Sequence, residues 1–76
     1  MKRLFVEDLK GYMETFDNVD KVEIVKPCNV SFSNDKRNHL YIIKNSHCID
    51  CIPLSEIKLA FMVNTETMEE YFRYRK

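Results

Sequence analysis

The sequence predicts an α+β domain: an N-terminal amphipathic helix, a four- to five-stranded antiparallel meander and a short C-terminal helix. Apolar residues recur with a 3.6-residue period near the N-terminus and with a two-residue period through the middle of the chain. A helix-capping signal follows near the C-terminus. Because the chain has only 76 residues, we expect residues 1–76 to form a single small globular domain.

The helical period covers residues 3–16. One face of such a helix carries five apolar side chains at spacings of i, i+4, i+7, i+8 and i+11: Phe5, Leu9, Tyr12, Met13 and Phe16. Charged residues lie off this stripe. Gly11 in the helix interior costs about 1 kcal/mol relative to alanine. Asp17 and Asn18 then favour a turn.

The two-residue period begins at Val19 and predicts the strands of the meander. Pro27 interrupts the first alternating stretch, which therefore forms either one bent strand or two strands that meet there. After a polar turn at residues 33–38, residues 40–43 predict a central strand, since they are apolar and rich in strand formers. Residues 48–54 are the expected hairpin partner, and residues 57–63 the last strand. At the C-terminus, Thr67 and Glu70 form a capping box that predicts a short helix.

Strands of this order form either a small sheet with helices on one face or a closed barrel. The stretch NSHCIDCIPLSEIKLAFMV (residues 45–63) resembles small SH3-like and Sm-like barrels, in which an IPLSxI step joins two strongly bent strands. The resemblance implies a partial barrel. The glycine- and Asp/Asn-bearing RNA-binding loops of the Sm-like family are not matched, so no functional residue is implied.

Composition bounds the function. Twelve basic residues balance twelve acidic ones, so no overall positive charge favours nucleic acid, and self-association is not opposed by repulsion. No apolar run is long enough to span a membrane, and acidic residues interrupt the N-terminal segment before it forms a signal peptide. Three cysteines are typical of thiols in a reducing compartment, so we expect a cytoplasmic protein. A single glycine excludes glycine-rich phosphate loops.

The cysteines and histidines are the weak candidates for a metal site: Cys28, His39, His47, Cys48 and Cys51. Cys48 and Cys51 form a CxxC, but a second ligand pair is missing from the sequence. If the segment is a strand, residues three apart point to opposite faces and do not share a metal ion. We therefore expect small structural thiols, with no metal and no cofactor.

Catalysis is not expected either. A cysteine nucleophile needs a base beside it, and nothing in the sequence places Cys28 next to His39. The acidic pairs lie at predicted helix ends, turns or exposed faces, where carboxylates are solvated. The chain is therefore predicted not to be an enzyme.

The C-terminal segment interleaves aromatic and basic residues, and this supplies the binding candidates: Tyr71, Arg73, Tyr74 and Arg75, together with Arg37. Such side chains stack on bases and pair with phosphates. Tyrosine and arginine are also enriched at protein interfaces. Alternatively, the segment has only a structural role, in which its aromatic side chains pack into the core and its basic side chains stabilise the C-terminus of the predicted helix.

The sequence favours a small protein-interaction module that binds a protein partner, as an inhibitor or adaptor of a larger complex encoded by a phage or mobile element. The basis is a minimal domain with no catalytic set, and a Lys-, Asn- and Ile-rich composition that indicates an A+T-rich bacterial or phage genome. The alternative is a small barrel that binds RNA or single-stranded DNA through the C-terminal segment. A homodimer is a third possibility.

Overall fold

The computed structural model describes residues 1–25 and 38–76. Of these described residues, 69% lie in strands and 5% are helical, so the predicted α+β class is wrong. The described residues form seven strands: β1 (Lys2–Asp8), β2 (Met13–Asp17), β3 (Lys21–Val25), β4 (His39–Lys44), β5 (His47–Pro53), β6 (Ile57–Asn64) and β7 (Glu70–Arg75). A 3₁₀ turn, Leu54–Glu56, joins β5 to β6.

The strands make two antiparallel sheets. Sheet A has four strands in the order β2-β1-β6-β7, and sheet B has three in the order β3-β4-β5. The sheets share a core of eight buried apolar residues: Leu4, Val6, Val19, Leu40, Ile42, Ile57, Ala60 and Met62. Seven of these come from β1 and β6 of sheet A and from β4 of sheet B, and Val19 lies between β2 and β3, so the two sheets pack face to face.

A short crossing connects the sheets after β2. The Val19 amide donates a hydrogen bond to the Lys2 carbonyl of sheet A, at 3.2 Å. The next amide, that of Asp20, donates to the Ile43 carbonyl of sheet B, at 2.9 Å. The Val19 side chain is buried and belongs to the shared core. Two consecutive residues thus tie both sheets together.

The predicted N-terminal helix is absent, and its place is taken by the β1–β2 hairpin. The Asp8 carboxylate accepts hydrogen bonds from the amides of Lys10 and Tyr12, at 2.8 and 3.0 Å. Gly11 adopts φ +92°, which side chains of L-residues rarely tolerate. This turn reverses the direction of the chain in the middle of residues 3–16, the segment whose apolar spacing predicted a helix. Leu4 and Val6, which alternate as a strand requires, supply the buried contacts instead.

Replacing Gly11 by alanine tests this turn. We expect Gly11→Ala to destabilise the fold by about 1 kcal/mol, because the positive φ strains any residue with a Cβ. A Cβ at this position meets no atom within 4 Å, so the cost is one of backbone conformation and not of a clash. Urea denaturation measures it, with Lys10→Ala as the neighbouring control. Unchanged or increased stability would contradict the turn conformation.

The predicted C-terminal helix is also wrong, since the segment forms strand β7. Of the supposed capping box, Thr67 lies in the turn between β6 and β7, and Glu70 begins β7. The Thr67 hydroxyl accepts from the Glu69 amide at 3.3 Å, and Met68 adopts φ +61°, which no helix continues. Asn64 organises the same turn, because its side-chain oxygen accepts from the amides of Glu66 and Thr67. The chain then returns as an edge strand beside β6.

The sequence placed strands in the middle of the chain, and the structure has β4, β5 and β6 there. Pro27 and the second half of the first alternating stretch lie outside the described residues. Across residues 1–25 and 38–76, no helix has the length and apolar character needed to cross a membrane.

Candidate functional site

The C-terminal candidates lie on β7 and are divided between the two faces of sheet A. Tyr74 faces inward and packs against the core, beside Ala60. Arg73 and Arg75 face outward. Tyr71 is exposed at a bulge, where the Lys2 ammonium lies 4.7 Å from its ring centroid. The alternation of the strand therefore separates the aromatic and basic residues, and Arg37 lies outside the described residues.

Arg73 is already engaged within the chain. Its guanidinium contacts the Glu70 carboxylate at 2.7 and 2.8 Å and lies 5.5 Å from the ring centroid of Phe61. The hydrogen bond from Arg73 to Glu70 and the negative charge of that carboxylate raise the pKa of Arg73 above the usual value. Phe61 in turn stacks on Phe5, with ring centroids 4.9 Å apart. Phe5 and Arg73 thus already contact the Phe61 ring, and a nucleobase stacking on it competes with them.

The CxxC differs from its expected geometry. Cys48 pairs with Ile43 and Cys51 pairs with Tyr41, because a bulge shifts the β4–β5 register between Ile42 and Ile43. Cross-strand partners point to the same face. Both exposed cysteines are therefore on the outer face of sheet B, and the expectation of opposite faces is wrong.

The other metal candidates do not complete a site. His47 is exposed at the start of β5, and His39 pairs with Pro53 at the far end of the sheet. Cys28 lies outside the described residues. Within residues 1–25 and 38–76, no group of three His, Cys, Asp or Glu side chains is arranged to hold a metal ion.

A surface that the sequence did not indicate lies at the β1–β2 hairpin. Three large apolar side chains are exposed there: Leu9 is 54% exposed, Tyr12 74% and Met13 50%. The predicted helix placed all three in the core. The signal for their true position was the Asp8 and Gly11 turn, which takes them to the tip of a hairpin.

Beside this tip, a groove opens between the edge of sheet A and the edge of sheet B. Its apolar floor consists of Val6, Ile52 and Ile57, with Tyr12 and Met13 at one side. Among the described residues, the charged ones that line it are all acidic: Asp8, Glu14, Asp50 and Glu56. We call it the acidic groove. Its volume is about 240 Å³, below the roughly 300 Å³ at which small-molecule sites begin. It therefore fits one or two side chains better than a ligand.

The strand pairing explains the position of two of these carboxylates. Glu14 on β2 pairs with Val6, and Asp50 on β5 pairs with Ile42, so each follows a buried residue onto the inner face of its sheet. Both strands are at the edges of the described sheets, where the inner face opens to solvent. Glu14 is exposed, and the Asp50 carboxylate accepts a hydrogen bond from the Cys51 amide at 2.8 Å.

Comparison with known proteins identifies no relative. The sequence matches no family model and no curated protein, and the fold matches no solved structure. The IPLSxI step does join two strands, since β5 passes into β6 through the 3₁₀ turn, but the likeness to Sm-like barrels has no further support. A function for this chain is therefore inferred from its own surfaces.

Proposed function

We propose that the protein is a non-enzymatic interaction module that binds a basic, apolar segment of a partner protein in the acidic groove. The observation that carries this proposal is the exposed cluster of Leu9, Tyr12 and Met13 beside a groove whose charged lining, in the part of the chain that the structure describes, consists of carboxylates. Tyrosine and methionine are enriched in protein interfaces. An exposed apolar cluster of this kind is typical of a contact surface.

Charge supports a protein partner over nucleic acid at this surface. Four carboxylates of described residues line the groove, and Lys10 at the hairpin tip lines an adjoining cleft. Phosphate groups are repelled by such a lining, whereas lysine and arginine are attracted to it. Because the floor is apolar, the long methylene stems of lysine and arginine also gain by lying along it. The C-terminal basic residues, which motivated the nucleic-acid alternative, lie on a different strand and partly pair internally.

An amide chemical-shift titration tests the proposal. The probe is a short peptide of alternating lysine and leucine, and the comparison probes are a peptide with glutamate in place of lysine and an oligothymidylate. We expect the basic peptide alone to shift the amides of Asp8, Tyr12, Glu14 and Asp50. Shifts confined to β7, or produced by the oligothymidylate, would contradict the proposal and favour the nucleic-acid alternative.

Charge reversal in the groove gives a quantitative prediction. We expect Glu14→Lys and Asp50→Lys each to weaken binding of the basic peptide at least about tenfold, because like charges across an interface are strongly unfavourable. Raising the ionic strength to about 1 M, where the Debye length is about 3 Å, should weaken the wild-type complex. Isothermal titration calorimetry measures both effects.

Glu23→Lys is the matched control for these reversals. Glu23 pairs with Tyr41, so it lies on the outer face of sheet B, away from the groove. The substitution makes the same change in net charge and should leave the affinity unchanged. Equal weakening by all three variants would show that only overall charge matters, and would overturn the assignment of the groove.

A further inference from the structure

The outer face of sheet A departs from the pattern of a solvated sheet. Residues 59–63 of β6 are apolar on both faces of the strand. Ala60 and Met62 are buried against sheet B, while Leu59, Phe61 and Val63 point away from it and are only half-buried. A strand that is apolar on both faces is typical of a sheet covered on both sides.

The strands on either side of β6 carry outward side chains of complementary character. Arg3, Phe5 and Glu7 of β1 pair with Val63, Phe61 and Leu59 of β6. On the other side of β6, Val63, Phe61 and Leu59 pair in the same order with Glu70, Arg73 and Arg75 of β7. Across β6, Arg3 of β1 therefore lies opposite Glu70 of β7, Phe5 lies opposite Arg73, and Glu7 lies opposite Arg75.

We propose that this face is the contact of a homodimer, with its two-fold axis parallel to β6 and lying between the two copies of sheet A. Rotation about that axis exchanges the β1 side with the β7 side, so the outward residues of β1 in one copy lie over those of β7 in the other. Contacts of this kind are isologous: residue i meets residue j, and j meets i. Glu7 pairs with Arg75 of the second copy, Arg3 lies over its Glu70, and Phe5 lies over its Arg73.

Two charges favour a second copy as the occupant. Arg3 pairs with Asp17, and Arg73 pairs with Glu70, within one chain. Neither Glu7 nor Arg75 has an ion pair or side-chain hydrogen bond among the described residues. They flank Leu59 in one row, at about 10 Å across two strand spacings. Glu7 and Arg75 lie on opposite sides of the proposed axis, so each meets the oppositely charged residue of the second copy. Because the chain has zero net charge, no long-range repulsion opposes the association of two copies.

The size of the face sets the strength of the dimer. Four strands at about 4.8 Å spacing and three outward rows cover roughly 300 Å² per copy. This is less than half of the about 800 Å² that each partner contributes to a standard interface. We therefore expect a weak dimer, with a Kd in the micromolar range. In this dimer the two copies of sheet A lie about 10 Å apart, the usual distance between packed sheets.

Sedimentation equilibrium over concentrations up to about 1 mM tests the dimer, with folding of each variant checked by circular dichroism. Glu7→Arg and Arg75→Glu each place like charges in both symmetric contacts and should raise the Kd at least about tenfold. The double variant should restore the wild-type Kd. An equimolar mixture of the two single variants should form a heterodimer, because unlike charges then meet in both contacts. Glu14→Arg, which makes the same charge change as Glu7→Arg but on the inner side of β2, should leave the dimer intact.

The outcomes separate this inference from the proposed function. A wild-type protein that stays monomeric up to about 1 mM overturns the dimer, given the expected Kd. A dimer that is indifferent to the single reversals, or is not restored by the double variant, overturns this face as the contact. Glu7→Arg should still bind the basic peptide, because Glu7 points away from the acidic groove. Loss of peptide binding therefore leaves the dimer standing, and loss of the dimer leaves the groove standing.

Discussion

Ile42→Ala is expected to cost about 2–5 kcal/mol of the free energy of unfolding. Ile42 is fully buried in the middle of β4, where it pairs with Val22 on one side and with Asp50 on the other. Truncation removes apolar contacts to both sheets and leaves a cavity, because the strands are fixed by their hydrogen-bond ladders and collapse only partly. A domain of this size has roughly 4–11 kcal/mol of stability. The variant therefore loses a large part of it, and its Tm falls by about 10 °C or more.

The measurement is urea denaturation at a single protein concentration, since self-association couples stability to concentration. Two isoleucine variants serve as controls. Ile42→Val removes one methylene group and should cost about 1 kcal/mol. Ile49→Ala truncates an isoleucine that is 48% exposed on β5 and should cost much less than Ile42→Ala. Equal losses from Ile42→Ala and Ile49→Ala would show that β4 is not the centre of the core.

The error at the N-terminus arose because one set of residues fits two periods. Phe5, Leu9 and Phe16 lie on one helical face, but the hairpin puts Phe5 on the outer face, Leu9 at the tip and Phe16 against the core. Periodicity alone cannot distinguish these cases, because the pairing of β1 with β6 joins residues that are about fifty or more positions apart in the sequence. The local turn signal, Asp8 followed by Gly11, was present in the sequence and should have outweighed the stripe.

At the C-terminus, the strand pattern was visible in the sequence. Phe72 and Tyr74 alternate with Arg73 and Arg75, and the structure places the first pair inward and the second outward. The capping signal at Thr67 was the weaker evidence, because a threonine hydroxyl also stabilises turns. The alternation would have predicted β7 and would have separated the aromatic and basic residues that were proposed as one binding surface.

The candidate surfaces depend on contacts that local patterns do not contain. The acidic groove joins Glu14 and Asp50, which belong to different sheets and come together only when the sheets pack. Cys48 and Cys51 lie on the same face of sheet B because of a bulge between them. The bulge adds one residue to β5, so residues three apart no longer point to opposite faces. The balance of acidic and basic residues could be predicted from the composition. Its arrangement on the outer face of sheet A, with charged residues of β1 opposite those of β7 across β6, could not.

Ala60→Leu is expected to destabilise the protein by about 1–3 kcal/mol, which tests how closely the two sheets pack. Ala60 is fully buried on the inner face of β6, between Val6 of β1 and Tyr74 of β7. It belongs to the same buried cluster as Leu40 and Ile42 of β4 in sheet B. The added carbon atoms force neighbouring side chains off their rotamers or push the sheets apart.

The matched control is Cys48→Leu, which enlarges an exposed residue on the outer face of β5, away from the proposed dimer contact, and should change stability by less than about 0.5 kcal/mol. Thermal and urea denaturation of the two variants beside the wild type give the comparison. If Ala60→Leu stabilises the protein, the extra apolar surface has found empty space, and the face-to-face packing of the sheets is wrong. A loss confined to Ala60→Leu supports a close-packed centre, in which the small residue on β6 sets the distance between sheet A and sheet B.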